Sequence, residues 1–74
     1  MPAAPPAAAE RITTALIPKA ARDLAALQER TGLSKTDIVN RSVSLYDFIE
    51  AQISAGREVL IRHEDGTVQM VKLL

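Results

Sequence analysis

The chain has 74 residues, 47 % of them apolar, and it contains no cysteine or tryptophan, one tyrosine and one phenylalanine. A chain of this length holds at most one domain, and the absence of cysteine excludes disulfides, thiolate metal sites and a cysteine nucleophile. Nine basic and nine acidic side chains give a formal net charge of zero, which argues against coating nucleic acid by bulk charge. Much of the apolar content is alanine, which buries little area, so a monomer would hardly offset its chain entropy. The composition therefore predicts a core that is shared between chains.

Charge is distributed unevenly along the chain. Six basic and four acidic residues lie up to Leu45, a net charge of +2, whereas the rest of the chain carries −2. No apolar run approaches the roughly 18 residues that a membrane-spanning helix needs. The N-terminus lacks a basic region and is rich in proline, so we do not expect a signal peptide. A cytoplasmic location is predicted.

The N-terminal part is predicted to contain an arm and one short strand. Residues 1–10 are interpreted as a disordered Ala/Pro-rich arm. Residues 11–17 (RITTALI) are rich in β-branched side chains and end at Pro18, which suits the first position of a helix. A lone strand of this length needs a pairing partner to persist. Its alternation separates two faces, one with Ile12, Thr14 and Leu16 and the other with Arg11, Thr13 and Ala15.

Two helices are predicted after this strand. The first covers Lys19 to Thr31 and ends at Gly32, which fits a left-handed C-terminal position. Ser34 then caps the second helix, which runs to about residue 55 and stops at Gly56. The apolar residues of the second helix cover two flanks, and the first helix can pack against only one of them. They are Ile38, Val39, Val43, Leu45, Tyr46, Phe48, Ile49 and Ile53.

The C-terminal part is predicted to form a β-hairpin. Two β-rich runs flank Asp65-Gly66, a dipeptide that is typical of tight hairpin turns. A two-residue loop would pair Ile61 with Met70 and Leu60 with Val71. The hairpin either caps a shared core or offers an edge to another protein. In the first case the capping residues would be Val59, Ile61, Val68 and Met70.

The sequence gives no sign of catalysis. His63 is the only histidine, and it lies next to the predicted turn without a second ligand or a partner for acid/base work. The adjacent carboxylates Glu64 and Asp65 are explained by the turn. We therefore expect no enzymatic activity, no metal site and no cofactor.

Residues 11–41 (RITTALIPKAARDLAALQERTGLSKTDIVNR) resemble the ribbon-helix-helix family of DNA-binding repressors, the CopG/Arc/MetJ type. The order of strand, helix, Gly-x-Ser turn and two-sided helix carries the resemblance. The GLSKTDIVNR portion is most similar to actinobacterial members, some of which carry a C-terminal extension. The resemblance implies an α+β, intertwined β-α-α homodimer, with residues 11–56 as the DNA-binding and dimerisation domain and 57–74 as a C-terminal hairpin extension.

In this family the first strands of two copies pair into an antiparallel ribbon that enters the major groove of double-stranded DNA. Aligned on the spacing from Leu16 to Gly32, the outward face carries the candidate base contacts Arg11, Thr13 and Ala15. Ile17 before Pro18 leaves a shift of one residue open, and such a shift would exchange the two faces. The short outward side chains suggest several dimers on adjacent half-sites.

Further roles are implied by the same resemblance. The start of the second helix combines free backbone N–H groups with the positive end of the helix dipole, so Ser34, Lys35 and Thr36 are candidate phosphate contacts. The core of the dimer would consist of Ile12, Thr14, Leu16, Leu24, Leu27, Ile38, Val39, Val43, Tyr46 and Ile49.

The predicted function is that of a sequence-specific transcriptional regulator, a repressor associated with the nucleoid. One alternative is the antitoxin of a toxin–antitoxin pair, which binds DNA through residues 11–45 and a toxin through residues 57–74. A second alternative is a dimerisation adaptor that does not bind DNA. Weak DNA affinity without a steep salt dependence would favour the adaptor.

Overall fold

In the described part of the chain, two α-helices are followed by a two-stranded antiparallel sheet. In this computed structural model, which describes residues 9–72, α1 is Pro18–Thr31 and α2 is Lys35–Ser54. Strands β1 (Leu60–Arg62) and β2 (Val68–Met70) come after both helices. The α+β class is as predicted, and the helix bounds match the prediction to within a residue or two. Neither described helix is long and apolar enough to cross a membrane.

Local chemistry fixes both ends of α1. Ile17 is extended (φ −66°, ψ 158°) and Pro18 occupies the first turn, because a proline disfavours helical geometry in the residue before it and lacks only an N–H that the first turn does not use. At the other end Gly32 is left-handed (φ 71°), and its N–H donates to the carbonyl of Gln28 over 2.9 Å. This bond satisfies one of the free carbonyls of the last turn.

Helix α2 is capped at both ends. The hydroxyl of Ser34 accepts a hydrogen bond from the N–H of Asp37 over 3.1 Å, as predicted for an N-cap. At the C-terminus Gly56 is left-handed (φ 84°) and donates to the carbonyl of Ile53 over 2.9 Å. The N–H of Arg57 donates to the carbonyl of Gln52 over 3.0 Å, which completes a Schellman motif. The chain therefore leaves α2 sharply and turns into the hairpin.

The segment before α1 forms no strand in the single chain. Residues 10–17 carry no regular secondary structure, so a β-α-α order is not seen within the described residues. The physical reason is that β1 and β2 pair with each other and leave this segment without a neighbour to bond with. The predicted arm at residues 1–10 lies mostly outside the described residues.

The hairpin exists, but the predicted register is wrong by one residue. Leu60 pairs with Met70 and Ile61 with Gln69, rather than Ile61 with Met70 and Leu60 with Val71. The loop has three residues instead of two, because the N–H of His63 bonds the carbonyl of Thr67 over 2.8 Å. Gly66 is left-handed (φ 89°), the geometry of a turn followed by a glycine bulge.

The shift in register redistributes the apolar side chains of the hairpin. Successive side chains of a strand point to opposite faces, so Val59 and Ile61 share a face with Gln69 and Val71. The opposite face carries Leu60, Val68 and Met70. The predicted single capping face of Val59, Ile61, Val68 and Met70 is therefore wrong, since these residues divide between the two faces.

The described chain has almost no core of its own. Ile38 is the one buried residue among residues 9–72, with 6 % of its surface exposed. Leu24 and Leu27, which line the same groove as Ile38, are half-buried, and so is Leu33. Among residues 9–72, thirteen large apolar side chains are exposed. They are Ile12, Leu16, Ile17, Val39, Val43, Leu45, Tyr46, Phe48, Ile53, Leu60, Ile61, Val68 and Met70.

Candidate functional site

An open apolar groove, here called the interhelical groove, lies where residue 16, α1 and α2 meet. It has a volume of about 310 Å³. Asp23 and Ser42 supply the polar part of its lining. Its apolar lining consists of Leu16, Ala20, Leu24, Leu27, Ile38, Val39 and Val43. Six residues of the predicted dimer core are thus brought together, namely Leu16, Leu24, Leu27, Ile38, Val39 and Val43.

The other four residues of the predicted dimer core lie outside this groove. Ile12 and Thr14 belong to the unpaired segment before α1, and both are exposed. Tyr46 and Ile49 lie further along α2, where Tyr46 is exposed and Ile49 is half-buried. The single chain therefore assembles the middle of the predicted core and leaves its two ends open.

The candidate base contacts Arg11, Thr13 and Ala15 are all exposed to solvent. They precede α1 in the segment without regular structure, so the single chain does not separate the two faces that their alternation predicts. Their side chains are available for contacts with another molecule, and pairing of the segment is what would align them.

The candidate phosphate contacts surround the start of α2. Ser34, Lys35 and Thr36 are exposed. The hydroxyl of Ser34 is engaged with the N–H of Asp37, while backbone N–H groups of the first turn have no partner within a helix. Asp37 adds a carboxylate to this turn, which offsets part of the positive charge that Lys35 and the helix dipole supply.

Charge at the rim of the interhelical groove is paired. Lys19 and Asp23 form an ion pair with an Nζ–Oδ2 distance of 2.6 Å, one turn apart on α1. It is the one ion pair between side chains in the described part of the chain. Both side chains are more than half exposed, so solvent screens the pair and its contribution to stability is small.

The turn of the hairpin holds the carboxyl of Asp65 through two hydrogen bonds from Thr67. The hydroxyl of Thr67 donates to Oδ1 of Asp65 over 2.7 Å and the N–H of Thr67 donates to the same oxygen over 2.9 Å. These bonds favour the carboxylate and lower the pKa of Asp65 below its usual value of 3.8. The carboxylate therefore stabilises the loop.

His63 lies beside this turn and contacts Gln69. Its Nε2 is 3.2 Å from Oε1 of Gln69 across the hairpin. Within residues 9–72, no three histidine, aspartate or glutamate side chains come together as metal ligands. The contact therefore belongs to the cross-strand packing of the hairpin.

A second open groove, here called the hairpin groove, was not predicted from the sequence. It has a volume of about 300 Å³ and lies between the C-terminal end of α2 and the hairpin. The sequence feature that points to this groove is Gly56, where the chain leaves α2 and turns into the hairpin. Because the predicted register was wrong, the hairpin residues that line the groove could not be identified from the sequence. The lining consists of Ile53, Arg57, Glu58, Val59, Met70, Val71 and Lys72.

Comparison with known proteins adds no assignment. No protein family, curated protein or solved structure matches this chain. The likeness of residues 11–41 to ribbon-helix-helix proteins is therefore a resemblance of pattern.

Proposed function

We propose that the chain is a homodimeric, sequence-specific DNA-binding protein that regulates transcription as a repressor. In this proposal residues 11–17 of two copies pair as an antiparallel ribbon, and the ribbon enters the major groove of double-stranded DNA. The single observation that carries the proposal is an unpaired, β-branched segment that joins directly to an open apolar groove. A second copy would pair with the segment and cover the groove.

Exposed apolar side chains support a shared core. Val39, Val43 and Tyr46 of α2 are 40 %, 61 % and 55 % exposed. Ile12 and Leu16, which precede α1, are 66 % and 46 % exposed. Obligate dimers bury such surfaces over roughly 2,000 Å² or more. The folded protein is therefore expected to be the dimer.

The chemistry of the outward residues suits base recognition. A guanidinium such as that of Arg11 can donate twice to guanine, the hydroxyl of Thr13 can bond a base edge, and the methyl group of Ala15 can contact thymine. Two copies related by a twofold axis would present this set twice, so the expected operator half-sites are inverted repeats. One ribbon presents few polar atoms to the major groove of DNA, so we expect several dimers to bind side by side.

The start of α2 would orient the dimer on the DNA backbone. Free N–H groups of its first turn and the amine of Lys35 suit a phosphate, and such contacts position the protein without reading sequence. The net charge of zero means that affinity depends on where these groups lie and not on overall charge.

The folded hairpin favours a regulator over an antitoxin. Antitoxin segments that bind a toxin are typically disordered before they bind, whereas β1 and β2 are already paired and their turn is held by Asp65. An adaptor that does not bind DNA leaves the exposed Arg11 and Thr13 without a role.

DNA recovered with the protein from cells tests the proposal. We expect one or a few promoter-proximal sequences that contain inverted repeats. Fluorescence anisotropy on such a fragment should show binding that weakens steeply as salt increases, since phosphate contacts release counterions. Recovery of no enriched sequence, together with affinity that hardly responds to salt, would refute DNA-specific regulation and favour the adaptor.

A further inference from the structure

One stripe of side chains on α2 joins the interhelical groove to the hairpin groove. Its members follow one another at steps of four, four, three and four residues, which places them on one face of an α-helix. Ile38 and Ser42 line the interhelical groove and Ile53 lines the hairpin groove. Both grooves therefore adjoin the same side of α2. The stripe consists of Ile38, Ser42, Tyr46, Ile49 and Ile53.

The stripe stays open to solvent towards the hairpin. Ile38 is 6 % exposed, whereas Tyr46 is 55 % and Ile53 42 % exposed, with Ile49 half-buried between them. Met70, on the hairpin side of the second groove, is 47 % exposed. Exposed apolar side chains that continue from one groove into the next mark an interaction surface.

The dimensions of the chain fit a second copy as the occupant. From Ile38 to Ile53 the helix rises about 22 Å. The chain itself measures 39 × 31 × 27 Å, so one copy is long enough to cover both grooves at once. No second kind of partner is required to bury this surface.

The charges around the hairpin groove also fit a second copy. The rim carries the basic residues Arg57 and Lys72 together with the acidic Glu58. In a twofold interface a patch meets itself, so a rim of one sign would repel its copy, whereas a rim of both signs can pair with it.

We propose that the hairpin is part of the dimer interface, with the second copy covering the hairpin groove as well as the interhelical groove. This inference rests on the proposed dimer and adds to it the surface formed by Ile53, Val59 and Met70. The hairpin then stabilises the pairing of the two chains, and Val68, which shares a face with Met70 but lies outside the hairpin groove, stays in solvent.

Matched substitutions in the full chain test the role of the hairpin groove. Met70→Lys places a charge in the groove, while Val68→Lys places the same charge on the same strand and face, outside the groove. Ile53→Lys and Ser44→Lys form the corresponding pair on α2, since Ser44 is exposed and lines neither groove. Sedimentation equilibrium should show a dimer dissociation constant that rises about tenfold or more for Met70→Lys and Ile53→Lys. The two control variants should stay within about twofold of the wild type.

The outcomes separate this inference from the proposed dimer. If the wild type sediments as a dimer and the groove variants match their controls, the role of the hairpin is refuted while the dimer remains. If the wild type is a folded monomer, both proposals fail. Equal weakening by groove and control variants also refutes the assignment, because the effect would then not depend on the groove.

A measurement on the unaltered chain covers the case in which a variant does not fold. The chain has two methionines, Met1 and Met70. An NMR spectrum of protein labelled at the methionine methyl groups therefore shows two signals, and one of them belongs to Met70. In an equal mixture of labelled and unlabelled chains, we expect intermolecular nuclear Overhauser effects between the Met70 methyl group and the partner chain. In a second sample with valine methyl groups labelled as well, such effects at Val39 and Val43 without any at Met70 would refute a hairpin contact. If a different protein covered the groove, the Met70 methyl would show no contact in the purified dimer.

Discussion

Arg11 is the residue on which the proposed base recognition depends most. Its guanidinium is the only group in the outward set with several donors, and it is exposed in the single chain. Removal of a good base contact costs about 1–3 kcal/mol and relaxes specificity at that position. Arg11→Ala should therefore weaken binding to the recovered operator by roughly fivefold to 150-fold, as measured by fluorescence anisotropy against operator and scrambled DNA.

Arg62→Ala is the matched control for Arg11→Ala. Arg62 is an exposed arginine of the same charge, but it lies on β1, away from the segment before α1. Its replacement should leave the preference for operator over scrambled DNA unchanged. Equal losses for the two variants would mean that only general charge matters and that Arg11 does not read bases.

Asp65 gives the hairpin a dependence on pH. Hydrogen bonds from Thr67 lower the pKa of its carboxyl in the folded chain below 3.8, the usual value. Because the folded pKa is depressed, the stabilisation is present in full above pH 3.8 and is lost as the pH falls through the lower folded pKa. In Asp65→Asn this acid-dependent loss should be absent, which an NMR titration of the Thr67 amide can follow. An identical titration of the hairpin in both proteins would contradict this role of the carboxylate.

At the level of helices, Ser34 combines a structural role with a proposed binding role. Its hydroxyl caps α2 through Asp37, and loss of such a cap costs about 1 kcal/mol. Ser34→Ala should lower the free energy of unfolding by about that amount, measured by urea denaturation. Ser44→Ala is the control, because Ser44 is an exposed interior position of α2 where alanine favours helix. A Ser34→Ala protein as stable as Ser44→Ala would show that the cap contributes nothing.

The limits of both helices follow from local chemistry and were therefore predictable. Pro18, Gly32, Ser34 and Gly56 each act on backbone groups within a few residues, and the structure places the ends where these residues indicate. Helical spacing likewise identified most of the residues that line the interhelical groove.

Features that depend on distant or subtle geometry were less predictable. The Asp65-Gly66 pair indicated a hairpin, but this dipeptide occurs in both two-residue and three-residue loops. One extra loop residue shifts the pairing by one position and exchanges the two faces of β2 relative to β1. The segment at residues 11–17 has a strand pattern, yet its pairing depends on a partner and not on its own sequence. The hairpin groove arises from the position of the hairpin beside the end of α2, which no local pattern encodes.

For the whole molecule, stability is expected to depend on protein concentration. With Ile38 as the one buried side chain in the described part, folding and dimerisation should occur together. A tenfold increase in concentration then stabilises the dimer by about 1.4 kcal/mol and raises Tm by roughly 3–6 °C. Thermal melts followed by circular dichroism at several concentrations would measure this shift.

Val43 offers a check on the same expectation. It is 61 % exposed in the single chain, so Val43→Lys would hardly affect a monomer. In a dimer the charge enters a buried interface, and Tm should fall well below that of Ser44→Lys. A Tm that is independent of concentration and unchanged in Val43→Lys would identify a stable monomer.

Because one chain alone has almost no core, the amount of active protein in the cell depends on dimerisation. If only paired subunits are folded, the population of active protein scales with the square of synthesis at low abundance, while solitary chains are open to proteases. Occupancy of a target would then switch off abruptly when production slows, without any small-molecule signal. Lifetimes measured after synthesis is stopped should lengthen as the starting amount of the protein increases.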